Sequence, residues 1–305
     1  MLKEVKNGVY PTMVTPYTKD NKIDYNAVEQ ILNWYDGKID GIFAICQSSE
    51  IFFLSFEEKL ELLRFVIKNA PKGACIVASG HTADSLDTQI EEAKAYIDCG
   101  IDAYVFISNR FAAEGESSDV FMKNLDYVVK ALPEISLGIY ECPYPYKRLM
   151  TPAELKALGE TGQFKFLKDT CCDIDEIKAK IDAVKGTDFK IFNANAATLY
   201  DSLKAGCAGY SGVMANFHPE IYYKLCHEYE KDEATAKLLS DFAGFFSVAE
   251  CQQYPVNAKY YLGLEGLDMT YLSRSSDASK FSSNRQLEIR QMQSITKFFK
   301  EKMGF

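Results

Sequence analysis

The chain has 305 residues, of which 47% are apolar and 25% charged, so it is long enough to bury one large core or two smaller ones. A net charge of −9 argues against a nucleic-acid surface, and no basic stripe with interleaved aromatics runs along the sequence. No apolar run approaches the ~18 residues of a membrane span, and residues 1–8 lack the apolar core of a secretory leader.

The nine cysteines are odd in number and mostly set in apolar segments, which fits reduced thiols in a cytoplasmic protein better than a disulfide framework. His81, His218 and His227 show no paired metal-ligand spacing, and no glycine-rich phosphate loop is present. Neither a metal nor a nucleotide cofactor is expected.

In chain order, short apolar runs alternate with longer amphipathic stretches. The runs at 8–14, 41–46, 74–78, 103–107, 136–141, 164–168, 190–193 and 208–213 read as strands. The first helix is expected over 25–35, where Val28, Ile31, Leu32 and Tyr35 share a face behind a capping Asp24. Ser55 and Glu58 have the spacing of a capping box ahead of Leu60, Leu62, Leu63 and Val66. Further helices fit 82–99, 119–132, 152–159, 173–184 and 197–205, with Gly100 and Gly206 where helices should end. Beyond Pro219 the period is helical throughout, over 221–229, 233–250, 257–264 and 284–302, with a polar loop at 273–283.

Eight strand–helix repeats are the pattern of an α/β protein built as a (β/α)8, or TIM, barrel. A doubly wound open sheet rarely needs eight repeats, and the glycine fingerprint many such sheets carry is missing. Residues 1–220 are expected to form the barrel. Residues 221–305 are expected to form a C-terminal helical extension packed on it, since no Gly-, Ser- or Pro-rich linker intervenes.

Two residues carry a specific chemistry. In the run 164–170 (FKFLKDT), residues 164, 166 and 168 share one strand face, so Lys168 continues a face begun by two phenylalanines. An ammonium beside apolar walls is poorly solvated, which lowers its pKa and frees the amine to attack a ketone and form a Schiff base. Tyr140, at the end of the preceding strand, offers a phenol for proton transfer. On the strand pattern alone, however, a lysine in such a place is more often solvated and inert, and a tyrosine more often a rim aromatic.

Placed on a barrel, Lys168 and Tyr140 end the sixth and fifth strands on the face where barrel enzymes keep their sites. With residues 11–16 (PTMVTP), 46–50 (CQSSE), 55–58 (SFEE), 139–143 (IYECP), 167–169 (LKD), 205–209 (AGCAG), Asn216, 255–259 (PVNAK) and 262–266 (LGLEG), the chain resembles the dihydrodipicolinate synthase and N-acetylneuraminate lyase family of pyruvate-dependent class I aldolases. That resemblance implies that Lys168 forms the imine with pyruvate and that Tyr140 shuttles protons. It implies that the loop Gln47, Ser48 and Ser49 holds the pyruvate carboxylate, and that Gly209 and Ser211 border the pocket. It also implies a homo-oligomer, tetramer or dimer, in the cytoplasm, acting on a small 2-oxo acid and an aldehyde.

The chain departs from the family pattern at several places. The usual first hydroxyl of the carboxylate loop is Gln47 and its glycine is Ser49, where a side chain resists a positive φ. If residues 47–49 do not bind a carboxylate, they cap the second helix. Pro145 stands where dihydrodipicolinate synthases carry an arginine for the second substrate's carboxylate, with Lys147 and Arg148 nearby as substitutes. Ala196 and Ala197 occupy places where sialic acid lyases carry acidic residues, and the segment 108–111 (SNRF) lacks the synthases' interface tyrosine. Phe52, Phe53, Phe111, Tyr144 and Tyr146 suggest an aromatic rim suited to an aldehyde less polar than a sugar, or an interface. The reading is therefore a Schiff-base lyase or aldolase. A true dihydrodipicolinate synthase, and a catalytically silent 2-oxo acid sensor, are its alternatives.

Overall fold

The computed structural model describes residues 2–305. The strands are β1 (Gly8–Val9), β2 (Gly41–Phe43), β3 (Cys75–Ala78), β4 (Ala103–Ile107), β5 (Ser136–Tyr140), β6 (Phe164–Asp169), β7 (Lys190–Asn193) and β8 (Gly209–Tyr210). Between and after them lie α1 (Tyr25–Tyr35), α2 (Phe56–Asn69), α3 (Leu86–Asp98), α4 (Ser118–Lys130), α5 (Pro152–Glu160), α6 (Ile174–Ala183), α7 (Leu199–Lys204) and α8 (Pro219–Glu228). Three more helices complete the chain: α9 (Glu233–Phe246), α10 (Val256–Leu264) and α11 (Ser283–Met303). None of the described helices is long and apolar enough to cross a membrane.

Every strand pair is parallel, in the order β1-β8-β7-β6-β5-β4-β3-β2. Thr12 bridges Phe43 in parallel, and the Phe43 N–H donates to the Pro11 carbonyl at 3.0 Å, which closes the sheet into the expected barrel. The seam between β1 and β8 is narrower than the apolar runs suggest. A Cβ on Gly209 would lie 1.9 Å from the Gly8 carbonyl oxygen, so the two backbones nearly touch and only glycine fits.

Local signals act as the sequence implies. Asp24 accepts from the Ala27 N–H, and Ser55 with Glu58 forms a reciprocal capping box. Gly100 and Gly206 take φ of +96° and +105° just past α3 and α7. The expected division at 220 and 221 falls inside α8, which follows β8 and packs against β1 and β8. We therefore place the end of the barrel at Glu228 and assign the extension to α9, α10 and α11. The helix expected over 233–250 stops at Phe246 and continues as a tighter single turn, Ser247–Cys251.

Inside the barrel, aromatic rings fill the layer below the catalytic face. Phe166 stacks on Phe192 at 4.7 Å, Tyr10 meets Phe192 edge-on at 4.9 Å, and Phe43 meets Phe166 at 5.9 Å. The register of β5 against β6 shifts between Leu137 and Gly138, which brings Tyr140 opposite Lys168. Gly138 permits this, because a Cβ there would lie 2.7 Å from the Phe166 carbonyl oxygen.

Two buried ion networks hold the strand ends and the extension. Lys180 of α6 donates to Glu141 at 2.7 Å and also to Asp169, and all three side chains are at most 2% exposed. Lys259 of α10 donates to Glu50 at 2.6 Å, and both side chains are fully buried. The second Glu50 oxygen accepts from the N–H groups of Arg274 and Ser275 at 2.6 and 2.7 Å. Removing one member of such a pair strands a buried charge, so Lys259→Ala should destabilise the protein by about 3–5 kcal/mol. Denaturant unfolding measures this, and a loss below about 1 kcal/mol would show that the pair is not the extension's anchor.

Candidate active site

A cavity of about 470 Å³ opens at the C-terminal mouth of the barrel, within the ordinary range for small-molecule sites. Lys168 sits at its base, continuing the inward face of Phe166, and is 4% exposed. Its Nζ lies 4.3 Å from the centroid of the Tyr140 ring and makes no hydrogen bond to another described residue. Burial pushes the ammonium pKa down, while Cys46, Cys142, Glu250 and Glu141 partly oppose that shift. The strand period thus places the amine where burial holds its pKa below that of a solvated lysine.

The Tyr140 hydroxyl donates to Gln47 Oε1 at 3.2 Å, and the Cys142 thiol meets the same oxygen at 3.5 Å. Burial, followed by Cys142 and Cys46, drives the phenol pKa well above its ordinary value. At neutral pH this group is a phenol rather than a phenolate. Gln47 therefore does more than fill the position of a hydroxyl, because its carbonyl orients the phenol.

The rest of the loop divides its work. Ser48 lines the cavity and donates to Thr12 Oγ1 at 3.0 Å. Ser49 does not line it: its hydroxyl turns under the loop, donating to the Ala44 carbonyl at 2.9 Å and accepting from the Cys46 N–H at 2.8 Å. The Ser48 and Ser49 N–H groups are taken by no backbone carbonyl and point at the Cys46 sulfur. The left-handed φ falls on Glu50, at +64°, so a side chain at 49 costs no strain. Nor do these residues cap α2, since Ser55 has that task.

Two expected site residues lie elsewhere. Gly209 belongs to the barrel seam, and Ser211 is fully buried with its N–H bound to the Asn193 carbonyl; neither borders the cavity, which Gly212 and Val213 line instead. The β-strand at this point ends three residues earlier than the apolar run, so counting along the run does not locate the residues that reach the mouth.

The rim is partly as expected. Phe52 packs against Tyr144 with ring centroids 4.9 Å apart and the rings tilted by 55°, and Phe53 and Tyr144 are each about half exposed at the opening. Phe111 is instead buried against His81, Phe106 and Phe121, and the Tyr146 hydroxyl turns back to the Ala112 carbonyl. Of the two candidate replacements for the missing arginine, Lys147 lines the cavity while donating to the Thr170 carbonyl at 2.9 Å. Arg148 points away, paired with Glu154 at 2.6 Å and stacked over Phe121. After β7 the wall is Ala194 and Asn195, with no acidic side chain.

The comparisons with known proteins decide the family. The dihydrodipicolinate synthetase family model matches residues 5–292. The chain belongs to that family. It is 27% identical over 286 residues to a 4-hydroxy-tetrahydrodipicolinate synthase of Rickettsia prowazekii, covering 90% of this chain and 93% of the relative. It shares its fold with YagE, a prophage protein of E. coli K12 in complex with pyruvate, at TM-score 0.85 and 19% identity, over 95% and 98% of the two chains. A chloride-inhibited dihydrodipicolinate synthase of Acinetobacter baumannii complexed with pyruvate superimposes at TM-score 0.83 and 24% identity, over 94% and 98%. The protein is accordingly a Schiff-base-forming class I aldolase or carbon–carbon lyase that uses pyruvate or a related 2-oxo acid.

Sequence reasoning selected neither Tyr254 nor Glu250, both of which line this cavity. Tyr254 lies beside Ser48 and Thr12, immediately before Pro255, and no period along the chain singles it out. Glu250 lines the cavity from the turn after α9, and a helix read straight through 250 gave no reason to select it. Burial raises the Glu250 pKa to about 7, with Lys168 pulling the other way. In the unfolded chain this carboxyl ionises near its ordinary value of 4.5. The stability it permits is therefore complete below that pH and is lost as pH rises through about 7. Glu250→Gln removes this ionisation, so at pH 8 the variant should be more stable than the parent by about 1–3 kcal/mol, with no gain at pH 4. Denaturant unfolding across this range checks it, and a difference independent of pH would exclude the raised pKa.

Proposed function

We propose that Lys168 attacks the C2 carbonyl of pyruvate or a substituted 2-oxo acid and forms the imine, with Tyr140 moving the protons of carbinolamine collapse. The observation that carries this reading is the buried, unpartnered Lys168 amine 4.3 Å from the ring of a tyrosine whose hydroxyl is fixed by Gln47. Ser48 and the Ser48 and Ser49 N–H groups hold the substrate carboxylate. The iminium then withdraws electrons so that the C3–C4 bond of a 4-hydroxy-2-oxo acid breaks, or forms from pyruvate and an aldehyde. The aldehyde end lies among Phe52, Phe53 and Tyr144, which favours an apolar or aromatic group over a polyhydroxylated chain. By family resemblance the enzyme works in the cytoplasm as a homo-oligomer.

Borohydride with pyruvate should attach one reduced adduct to Lys168, located by peptide mass analysis. Lys168→Arg should abolish it, since a guanidinium stays protonated and is no nucleophile. An adduct on another lysine, or none with any of a range of 2-oxo acids, would remove the mechanism.

Activity with aspartate semialdehyde should be weak. Pro145 offers no charge, Arg148 is committed to Glu154, and Lys147 is a point donor tied to Thr170. A missing charge-assisted contact to a substrate carboxylate costs on the order of 2–5 kcal/mol, tens to thousands in kcat/KM. Efficient condensation in a coupled assay would mean that Lys147 swings in to bind that carboxylate.

A further inference from the structure

The imine chemistry leaves one proton without a keeper. Between iminium and enamine, a C3–H bond of the bound pyruvate must break and its proton must go to a base. Tyr140 is held as a phenol and spends its hydroxyl on Gln47. Among the described residues, two carboxylates line the cavity, Glu50 and Glu250. Glu50 is consumed by Lys259, Ser273 and the Arg274 and Ser275 N–H groups. Glu141 is buried outside the cavity and bound to Lys180, Met150 and Thr170. Glu250 accepts no hydrogen bond from any described residue, and it shares with Lys168 a cavity that admits only a small molecule.

Resting on the aldolase reading above, we propose that Glu250 is the base that takes the C3 proton of the pyruvate imine on Lys168 and returns it to the enamine. The C3–H bond breaks, its proton passes to a Glu250 oxygen, and its electron pair forms C2=C3. The C2=N π pair moves onto nitrogen, neutralising the iminium. No oxidant or further reactant is needed, and the reverse step restores every atom. The aldehyde then meets an enamine whose displaced proton sits on a neutral carboxyl.

The surroundings suit the task. The Glu250 charge is felt by Lys168 from β6, Tyr210 from β8, Tyr222 from α8 and Tyr254 beside its own turn. All three tyrosines stay neutral, since burial holds their pKa values well up. The cation at Lys168, ammonium or iminium, is therefore the one charge opposing Glu250, and transfer cancels both at once. With a carboxyl pKa raised to about 7, the base is neither too weak to accept the proton nor too strong to release it.

The test uses the whole protein and pyruvate alone in deuterium oxide, following loss of the methyl proton signal by NMR at saturating pyruvate. In the parent protein exchange should rise with pH through about 7, as the carboxylate forms. Glu250→Gln should slow exchange by about 100-fold or more and erase that limb. Its borohydride adduct on Lys168 should be unchanged, which also shows the site folded. Glu250→Asp, which keeps the carboxylate on a shorter arm, should recover part of the rate. Exchange at the parent rate in Glu250→Gln, with the adduct intact, would overturn the assignment. So would loss of the adduct itself in that variant, because Glu250 would then act in imine formation. Absence of any adduct in the parent protein is a different failure: it sinks the imine reading and this assignment with it.

Discussion

The active site depends on a carboxylate that does no chemistry. Glu50 ends the loop after β2 in a left-handed conformation, fully buried, with Lys259 on one oxygen and three donors from residues 273–275 on the other. A carboxylate withdrawn from water is tolerated only when its lone pairs are filled. Satisfying it requires that the C-terminal extension wrap back over the barrel mouth. The same docking delivers the turn 247–251 and Tyr254 to the cavity, so the site is assembled by both parts of the chain. Burial also pushes the Lys259 pKa down, to about 8, which records how far this pair sits from solvent.

Below that loop the barrel sets a gradient of polarity. The rings of Phe43, Phe166 and Phe192 fill the interior layer, and Lys168 rises from it into the cavity. Desolvation from beneath and the Tyr140 ring alongside leave the amine without a fixed partner, the state a nucleophile needs. By contrast Lys180, only twelve residues on, is equally buried but shares two carboxylates, and its pKa is driven up. Two buried lysines of one barrel thus have opposite pKa shifts because their partners differ.

The substitution of Gln47 for a hydroxyl is coherent with this arrangement. A carboxamide oxygen can accept from the Tyr140 phenol and the Cys142 thiol together, where a hydroxyl would also need an acceptor of its own. Ser49 replaces a glycine without strain because the left-handed turn falls one residue later, and its hydroxyl ties the loop to Ala44. The loop is held by a different set of side-chain contacts, with the Ser48 and Ser49 N–H groups turned to the Cys46 sulfur.

What the sequence determined by itself was local and periodic. Alternation of short apolar runs with amphipathic stretches marked eight strands and their helices, with Asp24 and Ser55 beginning helices and Gly100 and Gly206 ending them where spacing said they would. Lys168 was legible because a period of two carries a charge onto an apolar face, and family-like motifs tied it to Tyr140. The tertiary structure alone decided which residues share the cavity. Gly209 and Ser211 fell out because closing the barrel pressed β8 against β1 and shortened both strands. Phe111 and Tyr146 turned into the wall, and Glu250 and Tyr254 came in from the extension. Glu250 lies more than eighty residues from Lys168, and no period along the chain encodes a meeting fixed by how helices dock on a closed sheet.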